Sequence, residues 1–174
     1  PPNGTAVPFS GVTGTSKTYT LDSGTVGAQF LAGDLVLASG FGQASNNGLK
    51  NVASSTATTV VVTQTAVDET PPATAKLIKV GFQFGSAEMN IDVSGSYPRL
   101  VRSSGTKDLT TLGLIPGEWV FIGGDATATK FTNAANNGFA RVRAVAPAYI
   151  ELDKTSATMV TETGTGKTIR LFFG

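Results

Sequence analysis

Ala44-Ser45-Asn46-Asn47-Gly48-Leu49 and Ala134-Ala135-Asn136-Asn137-Gly138-Phe139 are near copies of each other within one chain. Asparagine and glycine tolerate positive φ, so an Asn-Asn-Gly triplet before an apolar residue predicts a tight turn opening into a strand. Each copy follows a Gly-acid-x-Val segment, Gly33-Asp34-Leu35-Val36 in one case and Gly117-Glu118-Trp119-Val120 in the other, and each precedes a β-branched run. The Gly-acid motifs stand 84 residues apart and the Asn-Asn-Gly triplets 90, which places a six-residue insertion within 125–133. Beyond it the spacing of 90 persists: Val142 answers Val52, and Ile150 and Leu152 answer Val60 and Val62. What recurs is a folding unit, with Gly33, Asp34, Asn46, Asn47, Gly48 and Gly117, Glu118, Asn136, Asn137, Gly138 as its structural turn signature.

Working outward, Thr18-Tyr19-Thr20-Leu21 is β-prone, Leu35-Val36-Leu37-Ala38 reads as a buried strand, and 49–52 and 58–63 follow as strands. Val60 and Val62 share a core face by the two-residue strand period. Paired prolines stop any strand across 68–72. Ile78, Val80, Phe82 and Phe84 then alternate with Lys79, Gly81 and Gln83 as a half-buried strand. That gives about five short strands in a first module, 17–85. Residues 1–16, with little periodicity, read as an extended N-terminal arm. Residues 86–98 read as a linker holding a short strand of Met89, Ile91 and Val93. The second module, 99–174, repeats the first: Ser104-Gly105-Thr106 answers Ser23-Gly24-Thr25, and Ile169, Leu171 and Phe173 answer the strand from Ile78 to Phe82.

Solenoid repeats run to about 20 to 50 residues, so this longer period indicates tandem duplicated domains. Short strands, frequent turns and no amphipathic helix make the expected class all-β, as two tandem small β-barrel or sandwich-like modules. Barrel closure would remove the exposed edges that make short β domains aggregate. One continuous sandwich built from both halves is the alternative.

Composition narrows the chemistry. Charged residues are 14% of the chain, apolar residues 40%, and the net charge is +1, so there is neither a disordered composition nor a broad field for nucleic acid or an anionic membrane. Cysteine and histidine are both absent, which removes disulfides, thiolate nucleophiles and Cys/His metal sites. No run approaches a membrane-spanning helix, and Pro1-Pro2-Asn3-Gly4 lacks the features of a signal peptide. Without an initiator Met, the expectation is a processed chain or a piece of something longer.

Candidate sites are few. Gly164-Thr165-Gly166-Lys167-Thr168 ends like a phosphate-binding loop, but Thr161 stands where its first glycine belongs, and strand rather than helix follows; a loop turn is the better reading. Asp34, Asp68, Glu69, Glu118, Asp153 and Glu162 offer carboxylates without the spacing of an acid–base pair; the equivalence of Asp34 and Glu118 suggests a structural role, and the others read as solvated surface. No EF-hand-like calcium spacing is present. Trp119, Phe139 and Tyr149 could stack on a ligand, yet Trp119 and Phe139 answer Leu35 and Leu49, which favours core packing. Arg141 and Arg143 alternate on one strand face, suited to an interface or to nearby acids. Asn3-Gly4-Thr5 matches a glycosylation acceptor, incidental without a secretion signal. The catalytic, metal and cofactor sites are therefore expected to be none.

The stretch from Leu114-Ile115-Pro116-Gly117-Glu118-Trp119-Val120-Phe121-Ile122-Gly123-Gly124 to Phe131-Thr132-Asn133-Ala134-Ala135-Asn136-Asn137-Gly138-Phe139-Ala140-Arg141-Val142 resembles the tail tube (major tail) proteins of long, flexible-tailed bacteriophages. The closing Met159-Val160-Thr161-Glu162-Thr163-Gly164-Thr165-Gly166-Lys167-Thr168 and Arg170-Leu171-Phe172-Phe173-Gly174 resemble the same group, and the likeness reaches 31–84 through the internal repeat. The resemblance implies a non-enzymatic virion structural protein, assembled in the host cytoplasm. Its partners would be further copies of itself, in stacked and typically hexameric rings, and other tail proteins, with DNA only as passing cargo and no membrane. The chain departs from a complete tube subunit in having no separate stretch long enough for a tube-forming sheet. It is then either a fragment carrying the modules or a chain whose modules supply part of the wall. The alternative function is a phage or bacterial surface adhesin binding cell-wall glycan, with an enzyme third.

Overall fold

A computed structural model describes residues 4, 6–22, 30–103, 105 and 107–173. Ser23-Gly24-Thr25, Ser104 and Thr106 of the matching turns, and Asn3 and Thr5 of the glycosylation match, lie outside the described residues. The chain is all-β, the helical content among the described residues being confined to short 3-10 turns, and it divides into two compact units, Asn3–Val80 and Gly81–Gly174. Each has its own cluster of buried side chains.

In the first unit β1 (Val7–Thr13), β2 (Thr18–Leu21), β5 (Thr59–Val62), β4 (Gly48–Ser55), β3 (Asp34–Ser39) and β6 (Lys76–Gln83) are neighbours in that order, and the start of β6 returns to β1. The result is a closed six-stranded antiparallel barrel, in which no strand is left as an edge. Alternation does the work along β2 and β5, where Tyr19, Leu21, Val60 and Val62 point inward and their neighbours outward. Tyr19 sits at the centre, edge-on to Phe9 and Phe41 with ring centroids 6.1 and 5.3 Å away. Each fully buried apolar side chain of this size contributes about 1.5–3 kcal/mol.

In the second unit the order is β12 (Arg170–Phe173), β9 (Trp119–Ile122), β10 (Gly138–Ala146), β11 (Tyr149–Thr155), β8 (Arg99–Arg102), β7 (Met89–Asp92), all antiparallel, with Gly81–Gln83 on the other side of β12. Its core gathers Phe82, Phe84, Met89, Ile91, Leu100, Ile122, Phe131, Val142, Ile150, Leu152 and Leu171, among others.

Three differences from the sequence expectation have physical causes. The N-terminal arm is β1, with Val7, Phe9 and Val12 in the core; a bulge between Phe9 and Gly11 breaks strict alternation, so these three do not read as one face. The expected linker 86–98 contains β7, whose Met89 and Ile91 are fully buried in the second core. In β6 only the second half of the expected inward set holds: Phe82 and Phe84 are buried in the second core, whereas in the first half Leu77 is buried in the first core and Ile78 and Val80 are only half-buried. The unit boundary falls inside this strand, so one strand serves two cores and the buried face changes parity along it. Among the described residues the first unit therefore draws on six strand segments and the second on seven, rather than about five each.

Candidate functional site

The two Gly-acid motifs form like-built turns. Asp34 N donates to Leu31 O, and Glu118 N to Ile115 O, at 3.0 and 3.2 Å. Gly33 and Gly117 occupy the third position with φ of 91° and 95°, the positive angle that a type II turn demands there. Their amides reach across to Val52 O and Val142 O. The acid then folds back on its own turn: Asp34 Oδ2 accepts from Leu31 N at 2.9 Å, and Glu118 Oε2 from Ile115 N at 3.0 Å. Asp34 is fully buried, and the Lys79 ammonium lies 2.9 Å from Oδ1 as a charge partner rather than a well-aligned hydrogen bond.

The Asn-Asn-Gly triplets are not simple tight turns. A 3-10 turn, Ala44–Asn46 or Ala134–Asn136, ends on the first asparagine; the second is extended, and only Gly48 and Gly138 take positive φ. The asparagines act through their side chains. Asn47 Nδ2 donates to Phe41 O and Gln43 O while Oδ1 accepts from Phe41 N, and Asn137 repeats all three bonds with Phe131 and Asn133. Asn46 and Asn136 are fully buried. Asn46 Oδ1 accepts from Val67 N at 2.9 Å and its Nδ2 donates to Glu69 Oε2 at 2.7 Å; Asn136 makes the same bonds to Val160 N and Glu162 Oε2 at the same distances.

Glu69 and Glu162, expected as solvated surface, complete these brackets. Glu69 also accepts from the amides of Gly42 and Gln43, and Glu162 from those of Thr132 and Asn133. The backbone of each glutamate pairs reciprocally with a strand, with Val12 in the first unit and Ile91 in the second. Burial works to raise the Glu69 carboxyl, but the donors from Asn46, Gly42 and Gln43 outweigh it and hold the group below the usual carboxylate range. The sequence carried a signal for this: Val67-x-Glu69-Thr70 recurs as Val160-x-Glu162-Thr163, 93 residues on. The insertion is also placed, since Phe41 directly follows Gly40 whereas Asp125 to Lys130 separate Gly124 from Phe131.

The remaining candidates are structurally engaged. Lys167 of the Gly-Thr-Gly-Lys-Thr stretch donates its amide to Gly164 O and its ammonium to Thr127 O, and β12 follows. Asp68 Oδ1 accepts from Gly14 N, and Asp153 holds Arg141 through two bonds of 2.8 and 2.9 Å. Among the described residues no cluster of acids suits a metal ion.

The outer face of β9 and β10 departs from expectation. Trp119 is 47% exposed and Phe139 59%, not packed in the core. In the register Phe139 stands opposite Phe121, with ring centroids 5.1 Å apart and edge-to-face, and Phe121 stands opposite Phe172 on β12. Ile115, 58% exposed, precedes the same strand. The corresponding residues of the first unit are Leu31, Leu37 and Leu49: Leu31 and Leu37 are exposed, but Leu35, the counterpart of Trp119, is fully buried. Exchange of Leu for aromatic at matching positions is no guide to burial: Val120, Ile122 and Ala140 are the buried residues of these strands, and Trp119, Phe121 and Phe139 lie on the opposite face. No family model matches the chain, and no curated or solved protein matches it either.

Proposed function

We propose that the two units are tandem copies of one six-stranded barrel module, and that the chain is a non-enzymatic structural protein of a bacteriophage tail. It acts as a tail tube subunit or as its outward-facing modules, by self-assembly into stacked, hexameric rings. The tandem-copy reading is supported by the bracket bonds, repeated partner for partner in the two units. The tail reading is supported by the resemblance of 114–174 to tail tube proteins.

The observation that carries self-assembly is the aromatic face Trp119, Phe121 and Phe139 on adjacent strands. A cross-strand aromatic row is costly to leave in water and is the composition of interface centres. The same chain carries an exposed aliphatic counterpart, Leu31 and Leu37, at matching positions. Two related but unlike apolar faces on one chain suit a head-to-tail contact, aromatic face of one copy on aliphatic face of the next; such contacts close into rings or continue as filaments.

Sedimentation velocity and negative-stain imaging of the purified chain test this. The expected result is concentration-dependent rings, lost in Trp119→Ser/Phe139→Ser, with each aromatic worth about 2 kcal/mol or more of association. A chain that stays monomeric at about 100 µM, far above a micromolar Kd, overturns the assembly reading, as does unchanged assembly by the variant. Immunogold labelling along the length of phage tails separates a tube role from one at the tip alone.

A further inference from the structure

A second exterior feature belongs to the Gly81–Gly174 unit alone. Glu151 on β11 stands directly opposite Arg99 on β8, and its carboxylate is gripped from two sides. Arg99 donates through Nε and Nη2 to Oε2 at 2.9 and 2.7 Å, and Arg143 of β10 donates through Nη1 to Oε1. Each guanidinium is also stacked on a tyrosine: Arg99 lies 4.3 Å from the Tyr149 ring centroid and Arg143 4.3 Å from that of Tyr97. Together with Ser96 these residues line an open depression of about 420 Å³, within the ~300–1,000 Å³ span of small-molecule clefts.

The matching barrel positions show that the fold does not need this cluster. Thr18 faces Val61 in the first unit in the register where Arg99 faces Glu151. Ala53 and Thr59 stand where the second unit has Arg143 and Tyr149, and Ser16 where it has Tyr97. None of these five first-unit positions carries a charged or aromatic side chain.

We propose that this depression binds an acidic saccharide, its carboxylate taken by the two guanidiniums and its ring laid against Tyr97 and Tyr149. Two arginines share the Glu151 carboxylate, and Asp92, across from Arg99 on β7, adds a second negative charge beside Arg99 while its carboxylate accepts from the Ser94 amide at 2.8 Å; recognition of a carboxylate therefore rests on the fixed guanidinium N–H groups and not on surplus charge. Arg99 and Arg143 remain 36% and 45% exposed while Glu151 is 7% exposed, so the acid anchors the forks from below; Arg143 is also hydrogen-bonded to the Tyr97 side chain, and both guanidiniums keep an exposed edge. Guanidinium forks match carboxylates in two-point fashion, and here both are already fixed by the glutamate and the rings, which lowers the ordering cost of binding. Tyr97, 38% exposed, offers apolar surface to sugar C–H groups, and the Ser96 and tyrosine hydroxyls can pair with ring hydroxyls. The inference is independent of the assembly reading.

Isothermal titration and glycan-array binding of the full chain test it, with a tetragalacturonate as the probe and uncharged maltotetraose and inorganic phosphate as the comparison arms. Saturable binding of the uronate that weakens at least about tenfold in Arg143→Gln and in Tyr97→Ala, with the thermal midpoint unchanged, is the expected result. Arg141→Gln, on the same strand but paired with Asp153, should bind as the parent chain does. Absence of uronate binding overturns the proposal and leaves the cluster a surface ion-pair ladder. Equal binding of phosphate removes the saccharide, and equal loss in Arg141→Gln removes the site.

Discussion

Inside the first barrel, Tyr19 reaches through the core and donates its hydroxyl to Asn46 O at 2.9 Å, while the stem of Lys50 is buried and its ammonium ends on Ser45 O at 2.6 Å. In the second unit the same two places hold Leu100 and Ala140, both buried and neither with a polar side chain. The asparagine–glutamate brackets nevertheless share their bonds to Val67 N and Glu69 Oε2 in one unit and to Val160 N and Glu162 Oε2 in the other, with Asn46 Nδ2 also donating to Val67 O at 2.9 Å. The exteriors diverge in the opposite sense, with Leu37 and Leu49 against Phe121 and Phe139, and Thr18 and Val61 against Arg99 and Glu151. The shared bracket bonds thus accompany unlike core filling and unlike surfaces in the two units. They tie the loop before β4 or β10, the Val-x-Glu-Thr segment and the strand beyond it into one hydrogen-bonded end.

The comparison breaks most sharply if the brackets are unequal. Asn46→Ala strips the Glu69 carboxylate of one donor and leaves Val67 N without an acceptor, and Asn136→Ala does the same to Glu162 and Val160 N. Each substitution leaves buried polar groups unpaired and should cost about 2–4 kcal/mol. Urea denaturation gives the size and hydrogen exchange the place. Faster exchange at Gly42, Gln43 and Val67 is expected in the first variant, and at Thr132, Asn133 and Val160 in the second. A large cost in one unit and none in the other would mean that matching geometry conceals unlike energetics.

How much of this was legible in the sequence follows from what each residue does. Strands whose apolar residues alternate on one face, such as Val60/Val62 and Ile150/Leu152, could be read directly. β1 could not, because the bulge after Phe9 shifts the period, and β6 is legible only in its second half, Phe82 and Phe84, because it passes from one core to another and Leu77 rather than Ile78 is buried in the first half. The asparagines were located but misread: their backbone tolerance was noted, whereas their carboxamides carry the structure. Glu69 and Glu162 lie more than twenty residues from the asparagines that they hold, beyond any local spacing rule, and only the recurrence of Val-x-Glu-Thr betrays them. The exposure of Trp119 and Phe139 follows from strand parity, since Val120 and Ala140 between them are the buried residues.

A smaller effect separates charge from shape in the first bracket. Because the folded state holds Glu69 below the ordinary carboxylate range, the ionised bracket stabilises the fold above the ordinary pKa and that contribution is lost as pH falls through the folded value. Glu69→Gln should cost about 1–2 kcal/mol near neutral pH, where a carboxamide presents an N–H toward a donor, and the gap from the parent chain should close on acidification. Urea midpoints across the acid range measure it. A gap that stays constant would show that the bracket depends on the shape of the side chain and not on its charge.

The smallest effect concerns the tyrosine that the second unit lacks. Tyr19→Phe removes the hydroxyl bond to the Asn46 backbone carbonyl, leaves the side-chain bracket of Asn46 in place, and should cost about 1 kcal/mol. Burial, helped by the charge of Glu69, pushes the Tyr19 phenol up to about 12 from 10.0. A raised folded value means that the neutral phenol is favoured in the barrel, so this contribution is intact below 10 and disappears as pH climbs from 10 toward 12. The parent chain should therefore lose its advantage over Tyr19→Phe in alkali and fall below it, since the variant has no phenol to ionise. Phenolate absorbance supplies the second readout: the parent should show a late-titrating tyrosine that is missing from the variant. Its titration should move toward the ordinary value in Glu69→Gln, where the neighbouring charge is gone but the burial remains. If no late phenol is seen, water reaches the centre of the first barrel, and its core is less like that of the second than the matching brackets imply.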